Sequence, residues 1–495
     1  MPLRVNNYDE MKLAELLEHI GIVDCIGETD REVAGIQFDS RKITSDNLFV
    51  AQKGVSVDGH RFIDTAIEKG ATTIVCEDLP KETKPAVTYI KVEDSNKILG
   101  EIAAAFYGVP SSKMKVVGVT GTNGKTSIAS LLHKLFRMQG YNVGLLSTIS
   151  YKINEKEEVA SHTTPDALKI QQLMAEMAEA GCEYCFMEVS SHAIHQQRIA
   201  GIRFAGGIFT NITHDHLDYH KTFAEYIKAK KAFFDGLPKD AFALVNADDK
   251  NGLVMLQNTK ARKLTYSNRT MADYRCKVIE SHFDGMLLSM DDQEIWTRFV
   301  GLFNASNLLA VYATAVELEQ DKGEVLTIIS NLQSVQGRFE TIRSEDGKYA
   351  IVDYAHTPDA LKNVLAAIAE IRTRNEQVIT VVGAGGDRDK TKRPEMAQEA
   401  LAASDKVILT SDNPRSEDPE AIIKDMEAGV EAQYKNKVVS IVSRRDAIKT
   451  AVMLAQPGDI ILIAGKGHED YQEVNGVKHH FDDREEVRNC FGLKN

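Results

Sequence analysis

Among its 495 residues the sequence holds one tryptophan, six cysteines and eleven prolines, and it has fewer cations than anions. Each shortage removes a class of protein. Six cysteines scattered at 25, 76, 182, 185, 276 and 490 build no disulfide framework in a chain of this length. Only Cys182 and Cys185 are spaced CxxC, with no second pair and no paired histidine to complete a zinc site. They are expected as buried reduced thiols beside a strand. So few prolines beside 43% apolar residues argue against long disordered tracts. Lysine plus arginine number 59 against 72 aspartate plus glutamate, and the formal charge of −13 disfavours nucleic acid or anionic membrane as a partner. No apolar run approaches the ~18 residues that cross a bilayer, and Met1-Pro-Leu-Arg-Val-Asn-Asn7 lacks the basic-then-apolar pattern of a signal peptide. The expectation is a cytoplasmic small-molecule enzyme of about three domains, at roughly 150 residues each.

What is present is a repeated grammar: a short apolar run, a polar or glycine-rich elbow, then a helical pattern, the signature of a parallel sheet flanked by helices. After a turn-rich stretch, Phe106-Tyr-Gly-Val-Pro-Ser-Ser-Lys-Met-Lys115, strands are expected at Lys115–Val119, Tyr184–Met187, Ala205–Phe209 and Phe242–Val245. They lead into polar clusters at Thr120–Thr126, Glu188–His192, Thr210–His220 and Asn246–Asp249. The pattern resumes after Gly337, with strands near Tyr349–Val352, Val378–Val382, Val407–Thr410 and Asp459–Ala464. Their ends carry Asp353–Asp359, Gly383–Lys392, Ser411–Arg415 and Gly465–Glu469. Ligands bind outside the carboxyl ends of strands in open α/β sheets, so eight clusters at eight such ends imply two sheets facing one shared site.

Val116-Val-Gly-Val-Thr-Gly-Thr-Asn-Gly-Lys-Thr-Ser127 is the most specific local signal. Gly118, Gly121 and Gly124 let backbone N–H groups wrap a polyphosphate, Lys125 supplies a cation, and Thr126 offers a hydroxyl to Mg²⁺. The following helix, expected over Ser127–Gln139, aims its positive end at the anion. Val119 stands where the strict motif has glycine, so the loop is a variant. Glu188 emerges from a buried strand, where a carboxylate is costly unless it meets a cation or donors, which makes it a Mg²⁺ ligand candidate. In Asn211-Ile-Thr-His-Asp-His-Leu-Asp-Tyr-His220, His216 is a candidate ligand for a second cation.

The loop Thr120–Thr126, Glu188-Val-Ser-Ser-His, Asn211-Ile with Asp215-His-Leu-Asp, Phe303-Asn-Ala-Ser-Asn307, Gly337-Arg-Phe-Glu and Asp353-Tyr-Ala-His-Thr-Pro-Asp359 follow the order seen in the Mur ligases, which this chain resembles over nearly its full length. That resemblance implies an α/β protein of three domains. These are a smaller N-terminal UDP-substrate-binding domain over 1–110, a central P-loop parallel sheet with helices on both faces over 111–336, and a C-terminal Rossmann-like amino-acid-binding domain over 337–495. It also implies a monomeric ATP-dependent amide ligase of peptidoglycan precursor synthesis. By the same residue-wise matching, Gly121, Thr122, Asn123, Gly124, Lys125, Thr126, Asn304, Asn307, Arg338 and Asp353 look like ATP contacts. Lys230 matches a carbamylated lysine that bridges the metals, and Thr126, Glu188 and His216 would complete the Mg²⁺ set. Ser40, Thr163, Thr164, Ser190, Gln196 and Arg198 look like contacts to a UDP-N-acetylmuramoyl-L-alanyl-D-glutamate acceptor.

Asp412-Asn-Pro-Arg415 resembles the form found in family members that add meso-diaminopimelate as the third amino acid. Arg415 and Arg388 would hold the distal carboxylate, Asp412 and Glu469 the ammonium, with Asn413, Pro414 and Gly465 completing the pocket. The rivals are an L-lysine-adding homologue, a folylpolyglutamate-type ligase, and a phosphate-loop switch or motor. A dehydrogenase is a further one, since Gly383-Ala-Gly-Gly-Asp-Arg388 starts like GxGxxG, but it ends on Arg388.

Overall fold

The computed structural model describes residues 11–18, 20–54, 57–160, 162–213, 215, 217–373 and 375–493. Three large sheets succeed one another along the described residues, each covered by helices, with two small two-stranded ribbons beside them. In the first, the strands Asp24–Ile26, Thr88–Lys91, Ala71–Cys76, Asn47–Val50 and Gly35–Gln37 lie side by side, antiparallel only at the first pair. Helix Ser95–Phe106 starts at Asp94, whose carboxylate accepts from the Asn96 and Lys97 N–H groups. It buries Ile98, Leu99 and Ile102 against Val50, Val75 and Ile90. Its Gly100 lies against the next sheet's domain: a Cβ there would come within 2.5 Å of the Ala200 carbonyl oxygen. Only glycine allows that approach.

The central sheet has eleven strands. Its parallel heart runs Val143–Leu146, Tyr184–Glu188, Lys115–Thr120, Phe204–Phe209, Phe242–Asn246, Arg262–Ser267. Val117, Val119, Phe186 and Leu244 pack with helices Lys125–Met138 and Leu302–Glu317, while Val116, Met187, Ala243 and Val245 pack with helices Ala167–Glu179 and Phe223–Asp235. Because both faces are buried, these strands read as unbroken apolar runs. This parallel heart agrees with the sequence reading, which does not foresee antiparallel edges. Antiparallel hairpins extend both edges, Ser150–Ile153 with Lys156–Val159 on one side and Tyr274–His282, Gly285–Met290 and Gln293–Thr297 on the other. Their wet outer faces replace the apolar run by alternation or by polar residues, as in the fully exposed Lys156–Val159.

The third sheet orders Glu340–Arg343, Tyr349–Asp353, Ile460–Ala464, Val378–Ala384, Lys406–Ser411 and Val438–Ser440, antiparallel only at its first pair. Helices Pro358–Ile371, Lys392–Ala403 and Pro419–Glu427 cover one face, and Arg444–Leu454 and Asp483–Phe491 the other. Strands run past their apolar stretches into the polar clusters, so Thr120, Glu188, Asn246, Asp353 and Ser411 are strand residues. The helix after the phosphate loop begins at Lys125, two residues before its expected start. Cys182 and Cys185 are buried free thiols, and burial pushes Cys182 up to about 11. Among the described residues no helix is long and apolar enough to cross a membrane.

Candidate active site

A cavity of about 790 Å³ opens between the second and third sheets, and all eight polar clusters at the strand ends contribute to its wall. The phosphate loop forms its floor. Strand Lys115–Thr120 lies between Tyr184–Glu188 and Phe204–Phe209, the position where the chain reverses its direction of travel across the sheet. Gly121 has φ +151° and a Cβ on it would overlap the Thr210 hydroxyl; Gly124 has φ +89° and a Cβ would meet Asn307 Oδ1 at 2.7 Å. Both positions therefore require glycine. The loop is held from the segment after the neighbouring strand. Thr122 N–H donates to the Asn211 carbonyl at 2.8 Å, Asn123 N–H donates to Asn211 Oδ1 at 3.0 Å, and Thr210 Oγ1 donates to the Asn123 carbonyl at 2.6 Å. Lys125 Nζ donates to the Gly121 and Thr122 carbonyls at 3.1 and 2.8 Å, and burial holds its pKa below the usual lysine range.

Beside the loop stand the residues suited to a cation. Glu188 is fully buried; its Oε1 accepts from Thr148 N–H at 2.7 Å, and its Oε2 has no partner. An orphaned buried carboxylate oxygen is the donor that a divalent cation seeks. Thr126 is buried in the same wall, its Oγ1 accepting from Arg338 Nη2 at 3.2 Å. Lys230 is 1% exposed, donates to the Gly121 carbonyl at 2.8 Å and lies 4.7 Å from the Tyr226 ring centroid. Burial, then repulsion from Lys125, drives its pKa well below the ordinary value. His216 lies outside the described residues. Among the described residues no group of three His, Cys, Asp or Glu forms a metal site by itself.

Of the residues matched to the acceptor, five form one hydrogen-bonded patch. Thr163 Oγ1 accepts from Thr148 Oγ1 at 3.1 Å, and Thr164 Oγ1 donates to the Glu188 carbonyl at 2.8 Å and lies 3.3 Å from Ser190 Oγ. Arg198 donates to the Thr164 carbonyl at 2.8 Å and to Gln196 Oε1 at 2.6 Å. Ser40 stands apart, buried in a short turn of the first domain capped by Asp39 and outside the cavity wall.

The third sheet supplies the opposite wall. Facing it from the central sheet's own side, Asn304 and Asn307 are buried on helix Leu302–Glu317, their side chains 3.5 Å apart. Arg338 lies 4.5 Å from the Tyr354 ring centroid. Asp353 is buried and accepts from Phe339 N–H at 2.7 Å; burial raises its pKa to about 6. Deeper in, Asn413 Nδ2 donates to Glu469 Oε2 at 2.7 Å, and Arg415 Nη1 donates to the Gly386 carbonyl at 2.7 Å. Gly465, at φ +122°, leaves no room for a Cβ beside Asp412 Oδ2, and Gly386 leaves none beside the Pro414 carbonyl. Arg388 lines the cavity with its side chain open to it. Burial and the neighbouring Asp412 both push the Glu469 carboxyl upward.

The structure gives contacts to residues that the motifs contain but to which the sequence assigns no role. Lys466 is fully buried, and its Nζ donates to Asn413 Oδ1 at 3.2 Å and Glu469 Oε2 at 3.3 Å. Asp359 and Lys392 reach across from the third sheet's helices to Thr213 and Asp215. A buried lysine in Gly465-Lys-Gly-His-Glu469 carried a signal in its motif; the two cross-domain contacts carried none.

Three family models match the chain in succession: Mur ligase family, catalytic domain, over residues 32–107; Mur ligase middle domain over 119–315; and Mur ligase, glutamate ligase domain, over 337–467. A UDP-N-acetylmuramoyl-L-alanyl-D-glutamate–2,6-diaminopimelate ligase of Phocaeicola vulgatus is 57% identical over 481 residues, 97% of this chain and 99% of its own length. One of Bacteroides fragilis is 56% identical, covering 98% of this chain and all of its own. A solved structure of a ligase of the same name superposes with a TM-score of 0.70 at 32% identity, over 97% of this chain and 99% of that one. The cavity thus lies between the segments matched by the second and third models, and the chain belongs to the Mur ligase family.

Proposed function

We propose that this enzyme joins meso-2,6-diaminopimelate to the D-glutamate of UDP-N-acetylmuramoyl-L-alanyl-D-glutamate at the expense of ATP, in the cytoplasm and as a monomer. The observation that supports it most is one cavity with a phosphate loop on one wall and a pocket of paired opposite charges on the other. A carboxylate does not acylate an amine at neutral pH. Transfer of the γ-phosphoryl group of ATP onto it gives an acyl phosphate and ADP; the amine attacks the acyl carbon, and phosphate leaves with the bonding pair.

The chain's own groups position and neutralise. The loop N–H groups from Gly121 to Thr126 cradle the polyphosphate, and Lys125 swings from its loop carbonyls to the phosphoryl oxygens. Asn304, Asn307, Arg338 and Asp353 hold the nucleoside end. Thr163, Thr164, Ser190, Gln196 and Arg198 take the acceptor, with Ser40 reached by its UDP end. Arg388 and Arg415 take the distal carboxylate of diaminopimelate; Asp412 and Glu469 take its ammonium, with Asn413, Pro414 and Gly465 shaping the pocket.

Thr126, Glu188, His216 and Lys230 would hold Mg²⁺. When bound, it shields the negative charge shared by phosphoryl donor and acceptor. Lys230 fits this set only as an anion. Burial lowers its pKa and so favours the neutral amine, which would add CO₂ and release a proton to become a carbamate.

The test is ADP release with the UDP-dipeptide and a panel of amines. ADP should appear only when acceptor and amine are both present, diaminopimelate should far exceed L-lysine, and ¹⁸O in the acceptor carboxylate should emerge in phosphate. Hydrolysis independent of amine, or absence of label in phosphate, overturns the reading. Lys230→Ala should lose activity that a small carboxylate such as formate partly restores; activity equal to that of the unaltered enzyme removes the carbamate.

A further inference from the structure

We propose that Asp359 is a positioning residue which, with the Lys392–Asp215 pair, latches the C-terminal domain onto the phosphate loop during turnover. The inference rests on the ligase reading above. Asp359 is the second residue of helix Pro358–Ile371, whose N-cap is Thr357. Its Oδ2 accepts from three groups: Asn123 Nδ2 at 3.1 Å, Thr213 Oγ1 at 2.9 Å and Asn363 Nδ2 at 3.2 Å. The first two belong to the central domain, 236 and 146 residues away in the chain. Lys392 opens helix Lys392–Ala403 and pairs with Asp215 at 2.8 Å, both side chains largely shielded from solvent.

Both contacts grip the same central segment, Thr210–Asp215. That segment is the one that holds the loop, through Asn211 to Thr122 and Asn123, through Thr210 to Asn123, and through the Thr213 N–H, which donates to Thr122 Oγ1 at 3.0 Å. Docking of the third sheet's domain and the shape of the phosphate loop are therefore one mechanical unit. An aspartate at this helix position already favours its own helix through the dipole. That role does not need an oxygen shared by donors from another domain. The two contacts also have opposite polarity, an anion reaching out at one helix and a cation at the other, so they fit in one docking register.

The chemical purpose is water exclusion. An acyl phosphate that meets water before the amine returns the acid and releases phosphate, consuming ATP with no amide formed. A loosened latch should make the enzyme leak in that way, which a merely stabilising aspartate does not do.

The experiment compares the full-length enzyme with Asp359→Ala, Asp359→Asn and Lys392→Met, supplied with ATP, Mg²⁺, UDP-dipeptide and diaminopimelate. It measures ADP and amide in parallel, with ATP affinity and thermal unfolding alongside. The unaltered enzyme should release one ADP per amide. Each variant should slow amide formation by about tenfold or more and release several ADP per amide, with ATP affinity altered less than about threefold. Asp359→Asn combined with Thr213→Val should be no worse than Asp359→Asn alone, since both remove one contact. Should an Asp359 variant fail to fold, Lys392→Met carries the same readouts. A ratio that stays at one with an unchanged rate overturns the latch, and so does a loss of ATP affinity in step with the rate. An unaltered enzyme that releases ADP without amine refutes the ligase reading instead.

Discussion

Around the phosphate loop, the capacity to hold an anion comes mostly from backbone: glycines at φ +151° and +89°, loop N–H groups at a helix start, and one lysine resting on the loop's own carbonyls. In the proposed amino-acid pocket, recognition would come instead from side-chain charges set into the protein: Arg415 tied to the Gly386 carbonyl, Asp412, and Glu469 bridged to the buried Lys466. A backbone cradle binds any polyphosphate of the right shape, so it fits a cosubstrate shared by many enzymes. A pocket of fixed charges discriminates, because a ligand that lacks one partner leaves a desolvated ion unpaired.

The largest effect should break the first half of this contrast. Lys125→Met removes the loop's lysine cation and should lower the turnover rate by about 10³–10⁵-fold, the range for losing a cation from phosphoryl transfer. The burial that depresses its pKa means the ammonium is costly to keep, so thermal stability should hold or rise. Parallel kinetics and unfolding curves check both; a rate within tenfold of the unaltered enzyme would mean that backbone alone suffices.

Arg415→Ala tests the second half. Removing one partner of a buried charge pair costs about 2–5 kcal/mol, or about 30-fold to several-thousand-fold in kcat/KM for diaminopimelate. ATP affinity should not follow, and selectivity over L-lysine should collapse. Unchanged selectivity would move recognition of the distal carboxylate elsewhere.

Lys466→Met sharpens the same contrast with a smaller loss, about tenfold in diaminopimelate affinity, the size expected for losing a hydrogen bond to a charged group. Burial and Asp412 already favour the protonated form of Glu469, and Lys466 opposes them. Without the lysine the carboxyl should stay neutral to higher pH, so the loss should be deepest on the acid side and shrink as pH rises. Lys466→Arg should restore much of the affinity. A loss that is flat with pH would assign Lys466 to packing alone.

The two regions also differ in how far their sequences disclose them. The loop was legible because strand, glycines, Lys125-Thr126 and helix are contiguous, and a strand buried on both faces reads as an apolar run. Glu188 was legible for a related reason, a carboxylate at the end of a buried strand. The antiparallel edge hairpins escaped because one wet face turns the run into alternation, as along Tyr274–His282. Contacts such as Asp359 to Thr213 and Lys392 to Asp215 escaped for a deeper reason. They span 146 and 177 residues, and no local pattern along one chain encodes which domains will face each other. Lys466 sits inside a visible motif, yet its burial follows from the packing of Asn413, Glu469 and Tyr471 around it.

Asp353 joins both styles, a charge set at a strand end whose partner is the Phe339 N–H, and it should yield the smallest effect. Its pKa stands at about 6 against an ordinary 3.8, so the folded state holds the proton more tightly than the unfolded chain. The stabilisation this gives is complete below about pH 4 and disappears as pH rises through about 6, beyond which a buried charge remains. Asp353→Asn keeps an acceptor for Phe339 without that charge. Its melting temperature should therefore match that of the unaltered protein at about pH 4, and the difference should grow to about 1–3 °C in its favour above pH 7, while kcat/KM for ATP falls. A difference constant from pH 5 to 8 would mean that the carboxylate is solvated in the fold, and that Arg338 and the loop N–H compensate its charge where it stands.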